Sequence, residues 1–158
     1  MKYVMVTGPM GAGKSTLMRN LPKPQGNFVL PGNVPDMLLD YACELNNLMF
    51  YEIDAPTATG KMWLDWVKVA NVQIVVGNGL KKPDSHFIEL WNYLEESTPK
   101  TDRIIILSRV KEINKGWSTY SENKIFCIGM GEIINEETAI TSKNDIMTVV
   151  DYLSSTYE

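Results

Sequence analysis

The sequence predicts an α/β domain of three layers, with helices on both sides of a mostly parallel sheet, on three observations. Short apolar runs rich in β-branched residues alternate along the chain with stretches whose apolar residues recur at helical spacing. The first such run, Tyr3 to Thr7, leads directly into Gly8-Pro9-Met10-Gly11-Ala12-Gly13-Lys14-Ser15, a glycine-rich loop of the kind that joins a strand to a helix around a phosphate. The length, 158 residues, allows one well-packed core and is too short for that core plus a sizeable lid, so residues 1–158 read as a single phosphate-loop domain. The expected sheet has six strands, one of them antiparallel through a hairpin.

Each element follows from local sequence. Tyr3 to Thr7 is the first strand and Lys14 to Asn20 the first helix, stopped where Leu21-Pro22-Lys23-Pro24-Gln25-Gly26 opens a long loop to about Asp36. Met37 to Cys43 and Leu48 to Ile53 flank Asn46-Asn47 and read as the hairpin, although Pro35-Asp36 also suits the opening of a short helix. Ala58 to Ala70 sets Met62, Trp66 and Val69 on one helical side, with Trp63, Val67 and Ala70 beside them. Val72 to Val76 is apolar but for Gln73 and rich in β-branched residues, as in a strand buried on both faces. Asn78-Gly79 through Pro83-Asp84 turns the chain, and Phe87, Leu90, Trp91 and Leu94 form the stripe of a helix packed on the sheet. Ile104 to Leu107 and Ile125 to Ile128 are the last two strands, and Asn144 to Ser154 closes the chain as a helix with Ile146, Val149, Val150 and Leu153 inward.

Composition narrows the function classes. The chain is 44% hydrophobic and 22% charged, and no apolar run approaches the roughly 20 residues of a membrane span. Its net charge is −4, and adjacent basic residues occur only at Lys81-Lys82, which counts against nucleic acid or anionic lipid as the main partner. Cys43 and Cys127 lack metal-ligand spacing and read as thiols of a reducing, cytoplasmic compartment. A lone histidine, His86, leaves little room for imidazole catalysis. The start of the chain has no signal-peptide pattern, residue 2 is lysine, and the tail Ser155-Thr156-Tyr157-Glu158 has no cysteine to prenylate. Direct membrane insertion is therefore not expected, and attachment would come through a partner.

The loop carries the chemistry. Gly8, Gly11 and Gly13 let the backbone, with Met10 and Ala12, curl so that successive N–H groups face phosphate oxygens, and the helix opening near Lys14 adds its positive end. Lys14 is expected to reach the β- and γ-phosphates of a nucleotide, and Ser15, followed by Thr16, to place a hydroxyl on Mg2+. Such sites need an acidic residue at the end of a neighbouring strand to position the magnesium water shell or the attacking water. Asp54 closes the run Leu48 to Ile53 and fills that place; a strand-capping aspartate is the other reading.

Taken together these residues resemble the small GTPases of the Ras-like superfamily, and within it the prokaryotic branch of gliding-motility GTPases and related ATP/GTP-binding proteins. The resemblance spans nearly the whole length. It rests on the loop at Gly8, the hairpin around Asp40-Tyr41, the run Ile53-Asp54-Ala55-Pro56-Thr57, which is similar to that branch's Thr-Pro-Gly switch segment, and the helix from Met62 to Trp66. It implies a Ras-like G domain that binds GTP or GDP, with ATP as the alternative, together with Mg2+. It also implies a switch read by a protein partner, a roadblock-type regulator or a membrane-associated receptor, on the face that carries Trp63 and Trp66. Tryptophan is enriched in binding hot spots, one of these two is expected to be core, and Trp117 in a loop is a further candidate.

The chain departs from the family pattern at three places. Between Thr16 and Thr57 there is no Ser or Thr, so the switch-one hydroxyl that contacts Mg2+ is missing. The switch-two pattern becomes Asp54-Ala55-Pro56-Thr57, without its glycine and with no glutamine after it. The guanine-reading Asn-Lys-x-Asp segment is absent: Ser108-Arg109-Val110-Lys111 follows the strand, and Asn114-Lys115-Gly116-Trp117 lacks the aspartate. Lys111 or Lys115 would lay its aliphatic stem over the base, or both are solvated loop lysines; Gly129-Met130-Gly131 falls at the second base-contacting loop. Slow hydrolysis is expected. A pseudo-GTPase scaffold is the alternative, and a small nucleotide or small-molecule kinase a third, though kinases gather several arginines and this chain has Arg19, Arg103 and Arg109.

Overall fold

Residues 2–14, 17–18, 21, 42–53, 61–108, 114–129 and 139–157 are described by a computed structural model. Among them, one sheet contains β1 (Lys2–Thr7), β2 (Ala42–Leu45), β3 (Leu48–Glu52), β4 (Val72–Asn78), β5 (Asp102–Ser108), β6 (Lys124–Gly129) and β7 (Ala139–Thr141). The order across the sheet is β2-β3-β1-β4-β5-β6-β7. β2 is antiparallel to β3 and every other neighbouring pair is parallel. The helices are α1 (Lys61–Lys68), α2 (Ser85–Ser97) and α3 (Ser142–Thr156), with a 3₁₀ helix over Lys115–Tyr120. Lys14, Leu17 and Met18 are also helical. No helix among the described residues is long and apolar enough to cross a membrane.

Period-two alternation in the strands sorts the core into two layers. Met5, Tyr51, Val75, Ile105, Leu107 and Cys127 face one side, where α1, α2 and the 3₁₀ helix supply Trp66, Val67, Phe87, Leu90, Trp91, Leu94, Trp117 and Tyr120. Val4, Val6, Phe50, Ile74, Val76, Ile104, Ile106 and Phe126 face the other, against Leu17, Met18, Leu21 and the α3 stripe Ile146, Val149, Val150 and Leu153. β4 is buried along nearly its whole length, as its largely apolar run predicts. The α2 stripe is buried at Phe87, Leu90, Trp91 and Leu94, and Asp84 caps the helix by accepting from the Phe87 N–H at 2.8 Å.

The structure corrects the sequence reading in several places. Among the described residues the sheet has seven strands, not six, because β7 follows β6; three residues are too few to show a period. The hairpin turn is tighter than expected. Asn46 (φ 53°) and Asn47 (φ 65°) both lie in the left-handed region of a type I′ turn, so β2 runs to Leu45, opposite Leu48. Trp66 is core at 6% exposure, and its carbonyl accepts a 2.7 Å bond from the Tyr51 hydroxyl, so it offers no partner-binding ring. Trp117 is also core, held on the 3₁₀ helix with its ring edge-on to Phe87 at 4.7 Å. The side chain of Trp63, with Met62, lies outside the described residues.

A polar cluster closes the sheet at the amino ends of β4 and β5. Gln73 donates to the Thr98 hydroxyl at 2.9 Å, and Arg103 donates to Gln73 Oε1 at 3.1 Å and to the Thr98 carbonyl at 2.7 Å while standing over the Trp91 ring. Burial lowers the Arg103 pKa, opposed by the nearby carboxylates of Glu95 and Asp102. Replacing Arg103 by Met leaves Gln73 and Thr98 acceptors unpaired, so urea unfolding should show a loss of about 1–3 kcal/mol. Burial also pushes Tyr51 ionisation far above the ordinary phenol range. The unfolded chain then deprotonates first, so stability is fully present below about pH 10 and falls as pH rises beyond it. Absorbance titration should find Tyr51 ionising only with unfolding, and a Tyr51→Phe chain should lose that part of the alkaline transition.

Candidate functional site

The candidate site lies at the carboxyl ends of the parallel strands, where open α/β sheets bind their ligands. β1 stops at Thr7, paired with Val75, whereas β4 and β5 continue in register to Asn78 and Ser108. The overhanging residues of these two strands form a wall, and the glycine loop folds back against it.

Glycine is required at two points of that contact for steric reasons. A Cβ on Gly8 would lie 2.5 Å from the Val76 carbonyl oxygen, so no larger residue fits there. Gly13 has φ +103°, strained for any L side chain, and a Cβ there would press on Ser108 Cβ at 3.3 Å. Gly11 is also left-handed, at φ +78°. The Ala12 N–H donates to the Pro9 carbonyl at 3.1 Å, tightening the turn, and the Leu17 N–H donates to the Gly13 carbonyl at 2.9 Å as the helix begins. Left-handed glycines are also the residues with which anion nests are built, although here the Ala12 N–H between them is taken by Pro9.

Ser108 braces the loop from below. Its hydroxyl donates to the Ala12 carbonyl at 2.5 Å and also lies 3.2 Å from the Gly77 carbonyl, so one small polar side chain ties β5 and β4 to the loop. The Gly79 N–H donates to the Ser108 carbonyl at 2.8 Å, fixing the turn after β4. The sequence marks Ser108 only as the polar end of an apolar strand, and its bracing role has no motif. Lys14 is buried at 8% exposure, and its ammonium donates to the Gly8 carbonyl at 3.2 Å, which holds the cation across the mouth of the loop.

The structure brings together Gly8, Met10, Gly11, Ala12, Gly13 and Lys14. Their roles divide. Met10 is 91% exposed at the loop tip, whereas the Ala12 side chain is packed in the core beside Leu17 and Val76. Ser15, Thr16, Asp54 and Lys111 lie outside the described residues, as do Arg19 and Arg109. Arg103 is at the opposite edge of the sheet from the loop. A cavity of about 200 Å³ opens between the loop and the turn after β4.

No protein-family model matches the chain, and no curated protein matches it in sequence. Solved structures do match in fold. The G domain of the T. maritima FeoB iron transporter superposes with TM-score 0.62 at 15% identity, over 99% of this chain and 98% of that one. A variant of Era from Aquifex aeolicus bound to GDP·AlF4− gives TM-score 0.57 at 15% identity, over 98% of this chain and 57% of that one. The cytosolic domain of T. maritima FeoB in apo form gives 0.57 at 14% identity, with 96% and 64% covered. The chain thus has the three-layer fold of P-loop G domains, spanning nearly all of the first structure and less than two thirds of the other two.

Ser108→Ala should remove the brace and leave the Ala12 carbonyl without its side-chain donor, costing about 0.5–1.5 kcal/mol. Hydrogen exchange should show the extra opening concentrated at Gly11 to Lys14, with β4 and β5 still protected.

Proposed function

We propose that the chain is a small GTPase-like protein of the prokaryotic Ras-like branch that binds a nucleoside triphosphate with Mg2+, hydrolyses it slowly and acts as a nucleotide-dependent switch for a protein partner. The braced loop is the observation that carries this reading. Two left-handed glycines, a close approach that only glycine permits and a lysine poised across the mouth suit a polyphosphate, and account for the loop's composition without another purpose. The fold likeness to G domains, one of them bound to GDP·AlF4−, supports GTP and GDP as the nucleotides, with ATP the alternative.

In this reading main-chain N–H groups of the loop around Gly13, other than that of Ala12, which is already bonded to Pro9, and the Lys14 ammonium take up the phosphate charge. Ser15 and Asp54 would hold Mg2+, which supplies further charge neutralisation when bound. Lys111 would cover the base. The full 158 residues act as one domain in the cytoplasm, and a partner such as a roadblock-type regulator completes the hydrolytic site and any membrane attachment. The absence of Ser and Thr between Thr16 and Thr57 favours, as a second reading, a pseudo-GTPase scaffold that holds nucleotide without turnover. A kinase reading is weakened because Arg103 is committed to the far edge of the sheet.

Nucleotide that co-purifies should be a guanosine or adenosine polyphosphate by mass. Added at about a hundredfold excess over its dissociation constant it should stabilise the fold by about 2.7 kcal/mol, raising Tm by roughly 5–10 °C, and Lys14→Ala should lose most of that shift. Slow release of phosphate from labelled GTP supports the switch, bound triphosphate that never turns over supports the scaffold, and no nucleotide bound at any concentration sinks both.

A further inference from the structure

The cavity beside the phosphate loop is walled by Met10 and Gly11 on one side and by Lys81 and Lys82 on the other, with Phe87, Trp117 and Asp84 also lining it, so that two lysines face one carboxylate and the lining stays positive. Its volume, about 200 Å³, is below the roughly 300–1,000 Å³ of small-molecule sites and suits one inserted side chain. The exposed large apolar residues among those described are Met10, Leu80 and Ile88. Met10 lines the cavity, Leu80 immediately precedes Lys81, and Ile88 immediately follows Phe87. Exposed Met10 thus lines the cavity, and exposed Leu80 adjoins its lysines, the only adjacent basic pair in a chain of net charge −4.

The surface is also held in shape. The Leu80 N–H donates to Asn78 Oδ1 at 3.0 Å, the Gly79 N–H to the Ser108 carbonyl at 2.8 Å, and the Trp117 indole N–H to the Lys81 carbonyl at 2.8 Å. Gly77 admits the Trp117 ring so closely that a Cβ would meet it at 2.5 Å. A turn fixed in advance loses little freedom when a partner binds.

We propose that this patch docks a protein partner through an acidic segment bearing one large apolar or aromatic side chain. That side chain enters the cavity among Met10, Phe87 and Trp117, and the carboxylates flanking it meet Lys81 and Lys82. The net negative charge repels an acidic protein elsewhere, so the lysine pair fixes where and in which register it lands. Because Met10 and Gly11 belong both to the cavity wall and to the phosphate loop, a docked segment senses the loop directly; this coupling, unlike the docking itself, rests on the nucleotide reading.

Selection of random displayed peptides against the full chain tests the proposal. Enriched peptides should pair Asp or Glu with Leu, Phe or Trp, and fluorescence anisotropy should show binding weakened about tenfold or more by Leu80→Ser and by Lys81→Glu with Lys82→Glu. Unfolding curves of the variants confirm that they remain folded. Enrichment without acidic residues, equal binding to the variants, or no enrichment overturns the proposal. So does self-association in sedimentation that the same variants abolish, or binding to phosphatidylserine vesicles through the lysine pair without peptide binding. Peptide affinity measured on Lys14→Ala separates the readings: docking that persists there when nucleotide binding is lost leaves the patch standing, whereas affinity independent of nucleotide in the parent chain ends the coupling.

Discussion

The fold of the glycine loop onto the overhanging ends of β4 and β5 is the contact on which the candidate site depends. β1 is shorter than its neighbour β4 at the carboxyl edge, so the chain must turn against a wall of backbone that already exists. Only glycine can pass the Val76 carbonyl at position 8, and only a left-handed residue can turn at position 13 above Ser108. The Ser108 hydroxyl then joins three segments distant in sequence, the loop, β4 and β5. A phosphate nest is useful only if its N–H groups are fixed before the ligand arrives, since ordering them on binding would consume the affinity they provide.

The two edges of the sheet are built differently. At the amino ends of β4 and β5, Gln73, Thr98 and Arg103 satisfy one another's hydrogen bonds, and the guanidinium is enclosed by Trp91 and helix carbonyls. Those bonds hold the arginine where it is. At the carboxyl ends, the Lys14 ammonium donates to the Gly8 carbonyl and left-handed Gly11 and Gly13 turn the loop, in a chain whose overall negative charge makes an unassisted anion site unfavourable. On the proposed reading, local geometry and not net charge suits this edge to phosphate.

Much of this was legible in the sequence because the responsible signals are short-range. The run Val72 to Val76, the α2 stripe and the α3 stripe each carry their period within one element, and all are buried as expected. The loop was legible because glycine, lysine and strand context sit within a few residues of one another. What escaped depends on contacts between distant segments. Trp117 looked like a loop residue, and only Gly77, 40 positions earlier, makes the space that its ring occupies. Trp66 looked like a possible anchor until the Tyr51 hydroxyl and the sheet closed over it. β7 is held by pairing with β6, not by its own three residues, and Ser108 has a role only because the loop returns to it.

On the proposed reading the polyphosphate, and not the base, carries the main share of binding, since the sequence lacks the guanine-reading carboxylate of the Asn-Lys-x-Asp segment. Calorimetric titration of the chain with inorganic tripolyphosphate, with GTP and with guanosine, each in the presence of magnesium, tests this most directly. Heat from tripolyphosphate and from GTP with none from guanosine is the predicted result. Heat from guanosine with none from tripolyphosphate would contradict the account.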